Sequence, residues 1–224
     1  MKQNPVYENN GFAFLDTHYY GGIKHYQWVT LPLALHGVVA KTDGTVVDVN
    51  VGDDAGDPVF CVTDLLPHLG NQQMAKKGSE VVEGENLDVL IGNRPLKVEP
   101  ADDASDEEKE AAKEPVKAFA LKLLEEKYGI TEEDFLSAEI EVVPAGRARE
   151  LGFDRSMVIG YGQDDRVCAY TSLEAQLAIE TPKKTAVTVL VDKEEIGSVG
   201  ATGMGSLFFE NTIAEIAACS GLES

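Results

Sequence analysis

Two pairs of acidic residues in the second half of the chain have the type and spacing that suit metal-assisted chemistry. Asp164 and Asp165 follow one predicted strand, and Glu194 and Glu195 follow another. Parallel strands joined by a helix end at the same edge of a sheet, where open α/β proteins bind ligands. Carboxylates brought together repel one another unless a cation binds or a pKa rises, so this edge is a candidate site for a divalent metal. The alternative is that both pairs are solvated loop residues, as expected by chance in a chain with 39 Asp and Glu.

Other catalytic patterns are weaker. The glycine run at residues 197–206 stands between a strand and a helix, as phosphate-binding loops do, but it lacks the Lys of G-x-x-x-x-G-K-[ST]. The sequence contains no G-x-S-x-G elbow for a serine nucleophile. A nucleotide-binding protein is therefore the least favoured of the functions considered for this sequence. The histidines form no H-E-x-x-H or H-x-H pair and all belong to the first half: His18, His25, His36 and His68.

The elements that would position the acidic pairs alternate between strand and helix. Strands are predicted at residues 139–143 and 156–161, and an all-apolar strand of the kind that parallel sheets bury on both faces is predicted at 186–191. Helices with one apolar face are predicted at 165–180 and 207–219. This order predicts an α/β unit with parallel strands.

The first half is predicted to be an antiparallel β structure. Residues 26–51 are rich in β-branched and aromatic side chains, and Asp43-Gly44 interrupts them with a dipeptide that favours hairpin turns. A helix is predicted at residues 116–128, ending at Gly129. The acidic run at residues 101–114 is predicted to be a solvated loop or the polar start of that helix. The fold class is therefore mixed α and β.

Composition excludes several classes of protein. The 224 residues include 39 Asp and Glu against 19 Lys and Arg, a net charge of −20, which disfavours nucleic acid and anionic membranes as partners. Three widely spaced cysteines, Cys61, Cys168 and Cys219, do not suggest a disulfide framework. The first residues have no apolar signal region, and no apolar run is long enough to span a membrane. A cytoplasmic protein is expected.

Three segments resemble the dinuclear zinc aminopeptidases that include aspartyl aminopeptidase and vacuolar aminopeptidase I. The sequence DKEEIGSVGATGMGS at residues 192–206 is similar to the family's D-x-E-E-I-G-S segment. Residues 135–146 resemble its S-x-E-L strand, and residues 162–175 resemble its L-D-N segment and following helix. The resemblance implies an inserted, antiparallel β-rich dimerisation domain at residues 1–138 and part of a catalytic α/β domain at residues 139–224.

The resemblance also implies roles for individual residues. Glu194 matches the general base and Glu195 the adjacent metal ligand, while the register of the following helix makes Asp164, rather than Asp165, the bridging ligand. His68 matches a histidine that projects into a neighbouring subunit's active site. The implied cofactor is a pair of zinc ions that share a water and stabilise a tetrahedral oxyanion, and the implied assembly is a homo-oligomer built from dimers.

Two functions follow as expectations. The first is a zinc aminopeptidase that removes N-terminal residues from peptides. In the family, one metal ligand belongs to an H-x-D motif just upstream of a segment like residues 2–5, and further ligands follow the Glu-Glu pair. This chain is therefore expected to be an internal fragment that is inactive alone. The alternative is a non-catalytic oligomerisation module derived from such a peptidase.

Overall fold

The computed structural model describes residues 1–97 and 105–221 and divides into two compact units. The first unit contains Met1–Tyr19 and Lys24–Arg149; the second contains Tyr20–Ile23 and the residues from Glu150 onward. Part of the acidic run lies outside the described residues, and its remainder forms helix α2, Asp106–Lys113. The mixed α and β fold class is confirmed. No helix among the described residues is long and apolar enough to cross a membrane.

One antiparallel sheet of the first unit has the strand order β1-β2-β6-β5. Its strands are Val6–Asn9, Phe12–Leu15, Val89–Gly92 and Cys61–Val62, for β1, β2, β6 and β5. Between β5 and β6 the chain forms one short α-helix, α1, at Asn71–Met74, and a 3₁₀ turn at Gly84–Asn86.

The second antiparallel sheet has the order β4-β3-β7, with β3 at its centre. The strands are Leu33–Ala40, Val46–Val51 and Ala138–Pro144, for β3, β4 and β7. The β3–β4 hairpin contains the predicted turn: Gly44 has a left-handed backbone (φ +86°), and the Asp43 carboxylate accepts hydrogen bonds from the backbone and hydroxyl of Thr45. The antiparallel structure of the first half is confirmed.

Strand β7 belongs to the first unit, although it is the strand predicted to open the α/β part. It pairs along its length with β3, from Val39 opposite Ala138 to Leu33 opposite Pro144. Gly37 allows this close pairing, because a Cβ atom there would overlap the Glu139 carbonyl oxygen. The two compact units therefore separate after Arg149 rather than after residue 138.

Helix α3, Pro115–Tyr128, packs against the first sheet. It begins with Pro at its first position and ends at Gly129, which has the predicted left-handed backbone (φ +63°). Thr131 then donates two hydrogen bonds to the Asp134 carboxylate at the start of a 3₁₀ turn, Glu133–Ser137. The core of the unit includes buried side chains of both sheets and of this connection: Leu15, Leu33, Leu35, Val39, Val49, Val89, Ile130, Phe135 and Ile140.

The second unit contains two helices that match the sequence pattern. Helix α4 spans Gln163–Leu177 and helix α5 spans Leu207–Cys219, the latter with the predicted bounds. Strands β8, Arg149–Leu151, and β9, Met157–Ile159, form a two-stranded sheet. Neither helix contains a buried residue, so the apolar faces predicted to pack are exposed in this unit.

The predicted strand at residues 186–191 does not form. These residues have no regular structure, and Val187 and Leu190 are 52% and 57% exposed. The β-type contact that follows them is an isolated parallel bridge between Asp192 and Gly203. An apolar run becomes a strand only where a neighbour completes its backbone hydrogen bonds. Because the described residues supply no such neighbour, the expectation of two parallel strands is wrong for this part of the chain.

Candidate metal centre

Asp164 and Asp165 stand at the beginning of α4. Gly162, which precedes the helix, has a left-handed backbone (φ +74°) that an L-residue rarely adopts. Asp164 has an extended backbone (φ −90°, ψ 111°), and its peptide bond to Asp165 is cis. The helical backbone therefore continues from Asp165, and both carboxylates belong to the first turn of the element.

Glu194 and Glu195 share one short turn of the second unit. They open the 3₁₀ turn Glu194–Ile196, which lies between two left-handed residues, Lys193 (φ +73°) and Gly197 (φ +89°). The bridge between Asp192 and Gly203 holds the start of this loop against the glycine-rich segment that follows it. The turn thus presents two adjacent carboxylates from a locally folded loop.

Three carboxylates converge in the second unit. Oxygen atoms of Asp164, Asp165 and Glu195 all lie within 4.8 Å of one another, and all three residues are exposed. Hydrogen bonding with Asp164 raises the pKa of the Asp165 carboxyl, and partial desolvation and the charges of Asp164, Glu194 and Glu195 raise it further. Such a group of like charges favours either a shared proton or a bound cation.

Lys193 does not neutralise this group, although it adjoins the Glu-Glu pair. Its ammonium lies 3.3 Å from the Asp192 carboxylate, and hydrogen bonding with Asp192 raises the pKa of Lys193. The same ammonium lies 5.8 Å from the centre of the Tyr20 ring. Among the described contacts, the positive charge of Lys193 is therefore engaged by Asp192 and Tyr20 rather than by the three converging carboxylates.

The structure brings together some of the residues singled out by the sequence. Asp164 and Glu195 are members of the converging group, and Glu194 is near enough for its charge to raise the pKa of Asp165. Asp165 also joins the group, although the family register sets it aside as a ligand. The Asp-Asp dipeptide is the sequence signal that could have kept Asp165 among the candidate ligands. His68 belongs to the first unit, where its side chain is exposed.

The arrangement has the chemistry of a partial divalent-metal site. Carboxylate oxygens bind zinc as well as harder cations, and catalytic zinc sites usually combine them with histidine nitrogens. Among the described residues, this is the one group of at least three His, Cys, Asp or Glu side chains close enough to hold an ion. All four histidines lie in the first unit, so the second unit offers oxygen ligands and no imidazole.

Comparison with known proteins identifies close relatives. The model of the family described as "Aminopeptidase I zinc metalloprotease (M18)" matches residues 1–223. A probable M18 family aminopeptidase 1 from Clostridium acetobutylicum is 60% identical over 221 residues, which cover 99% of this chain and 45% of the relative. This chain therefore spans about half the length of the curated relatives it matches.

Two solved structures have the same fold. The crystal structure of aminopeptidase I from Clostridium acetobutylicum is 57% identical, with a TM-score of 0.83, and the match covers 100% of this chain and 46% of that one. The crystal structure of an M18 family aminopeptidase from Thermotoga maritima is 46% identical, with a TM-score of 0.85 and the same coverage. The similarity thus extends over both compact units of this chain.

Proposed function

Because this chain belongs to the aminopeptidase I zinc metalloprotease family, M18, we propose that the whole protein is a zinc aminopeptidase that removes N-terminal residues from peptides. The observation that carries the proposal is the convergence of Asp164, Asp165 and Glu195 within 4.8 Å. Their crowding requires a counter-charge, which a divalent cation supplies. In this proposal the second unit is part of the catalytic domain, and the first unit is the dimerisation domain.

Asp164 and Glu195 are proposed as zinc ligands. Both provide oxygen atoms to the converging group from locally defined backbone, at the start of α4 and in the 3₁₀ turn. When bound, a pair of zinc ions would supply Lewis-acid stabilisation of the oxyanion that develops on the scissile carbonyl. Asp165 is proposed to support the site from beside Asp164, whose proximity raises the pKa of the Asp165 carboxyl.

Glu194 is proposed as the general base. Glu194 precedes Glu195 in the same 3₁₀ turn, and its negative charge contributes to the raised pKa of Asp165 in the converging group. In this role its carboxylate accepts the proton of the attacking water and later donates that proton to the leaving amine, so no net proton remains on the enzyme. A carboxylate adjacent to a ligand, but not itself in the converging group, is free to make this transfer.

Substitution of Glu194 by Gln in the whole protein tests the assignment. The variant keeps the size of the side chain but loses the base, so we expect kcat to fall by at least about 100-fold while zinc content is unchanged. Glu195→Gln should instead lower zinc content, measured by elemental analysis. Glu210→Gln, an exposed acid in α5, is the matched control and should affect neither quantity. Unchanged turnover in Glu194→Gln would refute the role of this residue.

The 224-residue chain alone is proposed to lack peptidase activity. The proposal is supported by a carboxylate group without an imidazole in the second unit. Zinc titration followed by calorimetry should give weak binding, and short peptides should remain intact. Tight binding of two zinc ions per chain, together with release of N-terminal residues, would contradict this proposal.

We propose that the protein assembles as a homo-oligomer built from dimers and that His68 reaches the partner subunit's active site. The supporting observation is that the apolar side chains near His68 in the sequence, Leu65, Leu66, Leu69 and Met74, are all exposed. Leu66→Glu should shift the sedimentation coefficient toward a monomer, whereas His68→Ala should lower kcat without changing assembly. If His68→Ala retains full activity, the role in the partner's site is wrong.

The exposed apolar side chains near His68 are also compatible with the alternative function, a non-catalytic interaction module. A non-catalytic interaction module would also be oligomeric, so assembly alone does not separate the two functions. Peptidase activity of the whole protein does separate them, since the module would have none.

We further propose a cytoplasmic location, because all three cysteines are free, as is usual in a reducing compartment. Cell fractionation would test this location.

A further inference from the structure

An apolar cavity of about 490 Å³ lies in the first unit, whereas the converging carboxylates belong to the second unit. Its walls come from both antiparallel sheets and from α3, and they include Leu15, Leu35, Val49, Ile91, Leu124 and Ile140. The volume is within the range of about 300–1,000 Å³ that small-molecule sites occupy in proteins. The cavity is open to solvent on the side of α3, where Leu123 is 48% exposed.

The walls of the cavity select for an apolar occupant. Leu15, Leu35, Val49 and Ile140 are each less than 7% exposed, so their side chains meet the cavity as part of the buried core. Apolar walls of this kind favour contact with hydrocarbon over contact with water. The body of a ligand that fills this space is therefore aliphatic.

One polar group of the wall is without a partner. Tyr128 lines the cavity, and its hydroxyl is buried but makes no hydrogen bond to any described residue. Buried hydroxyls in proteins are normally hydrogen-bonded, because an unmet donor loses its interaction with water. The hydroxyl can therefore donate to an acceptor atom of a bound molecule.

A positive charge adjoins this hydroxyl. Lys127 also lines the cavity, and its ammonium lies 5.0 Å from the centre of the Tyr128 ring. The nearby phenol raises the pKa of Lys127, although the ammonium does not approach the hydroxyl with hydrogen-bonding geometry. Two other charged groups belong to the wall: the Glu126 carboxylate is 3.7 Å from the Lys122 ammonium, and the Met1 α-ammonium donates a hydrogen bond to the Ile140 carbonyl oxygen.

We propose that this cavity binds a linear aliphatic carboxylate, with the hydrocarbon chain among the apolar walls and the carboxylate at the Tyr128 hydroxyl and the Lys127 ammonium. The hydroxyl donates one hydrogen bond, and the ammonium provides the opposite charge. This site lies in the proposed dimerisation domain and is independent of the peptidase activity.

Calorimetric titration of the 224-residue chain with dodecanoate, below its micelle concentration, tests the proposal. We expect one dodecanoate per chain, an affinity about tenfold weaker in Tyr128→Phe, and little binding in Ala120→Leu, which extends a side chain of α3 into the cavity. Leu124→Phe is a second cavity-filling variant if Ala120→Leu does not fold. Lys127→Met should weaken binding of dodecanoate but not of 1-dodecanol.

Three results would overturn the proposal. The first is an absence of dodecanoate binding to the folded chain. The second is equal binding by the folded cavity-filling variants, which would indicate adsorption at the surface. The third is binding of 1-dodecanol as tight as that of dodecanoate, which would remove the role of the carboxylate.

Discussion

The carboxyl of Asp165 lies among Asp164, Glu194 and Glu195, and this crowding explains why its pKa is raised. Three carboxylate oxygens within 4.8 Å cannot all remain charged without a cost that a cation or a proton offsets. The sequence contains the two acidic pairs, and their spacing indicates a common site. That both Asp164 and Asp165 approach Glu195 depends on the backbone angles at Asp164, which residue type does not specify.

Tyr7 allows a prediction of alkaline stability. Its hydroxyl donates a 2.7 Å hydrogen bond to Asp88, and burial, followed by this bond and the Asp88 charge, raises the pKa of Tyr7 well above its usual range. The unfolded chain releases the phenol proton near pH 10, whereas the folded chain retains it. Tyr7 therefore stabilises the fold fully below about pH 10, and this stabilisation is lost as pH rises further.

Urea unfolding of the wild type and Tyr7→Phe at pH 8 and pH 11 measures this effect. We expect the wild type to exceed Tyr7→Phe in free energy of unfolding by about 1 kcal/mol at pH 8, and the difference to shrink at pH 11. Tyr26→Phe, at an exposed tyrosine, is the control. A difference that is the same at both pH values would show that Tyr7 does not retain its proton in the folded chain.

At the level of elements, Glu8 joins β1 to the start of α3. Its carboxylate accepts hydrogen bonds from the backbone N–H groups of Val116 (2.8 Å) and Lys117 (3.1 Å). The first N–H groups of a helix have no partner within the helix, and the helix dipole favours a negative charge there. Glu8 thus supplies a cap that the residue before the helix, Glu114, does not provide.

Replacement of Glu8 by Ala should destabilise the chain by about 1 kcal/mol, because two N–H groups lose their acceptor. Glu8→Gln keeps an acceptor oxygen but loses the charge, and we expect about half of that loss. Glu125→Ala, at an exposed acid of the same helix, should change the free energy of unfolding by less than about 0.5 kcal/mol. Thermal and urea denaturation measure all three; equal stability of Glu8→Ala and wild type would exclude the cap.

Elements that depend on neighbouring residues were predicted better than contacts between residues that are far apart in the sequence. The apolar pattern of α3 and its glycine cap depend on neighbouring residues, and the bounds of α5 agree with its sequence pattern. The Glu8 cap could not be predicted, since it joins residues more than one hundred positions apart. The run at residues 186–191 has the composition of a buried strand, but strand formation depends on a partner that composition does not reveal.

At the scale of the whole molecule, the two units differ in how they bury apolar surface. Every buried hydrophobic side chain among the described residues lies between Val6 and Val143, in the first unit. In the second unit, Phe153, Leu177 and Phe208 are exposed. The first unit therefore contains the core that stabilises the chain, whereas the helices of the second unit depend on local hydrogen bonds, which stabilise an isolated helix only marginally.

Hydrogen exchange of the 224-residue chain should separate the two units. Helices α3 and α5 have similar lengths, but α3 packs on a sheet and contains the buried Val116, whereas α5 has no buried residue. Amides of α5 should exchange at least about tenfold faster than those of α3, which corresponds to about 1.4 kcal/mol less protection. Strand β3, at the centre of its sheet, should be protected at least as well as α3. Equal protection of α5 and α3 would mean that the second unit is stabilised by contacts beyond its own helices.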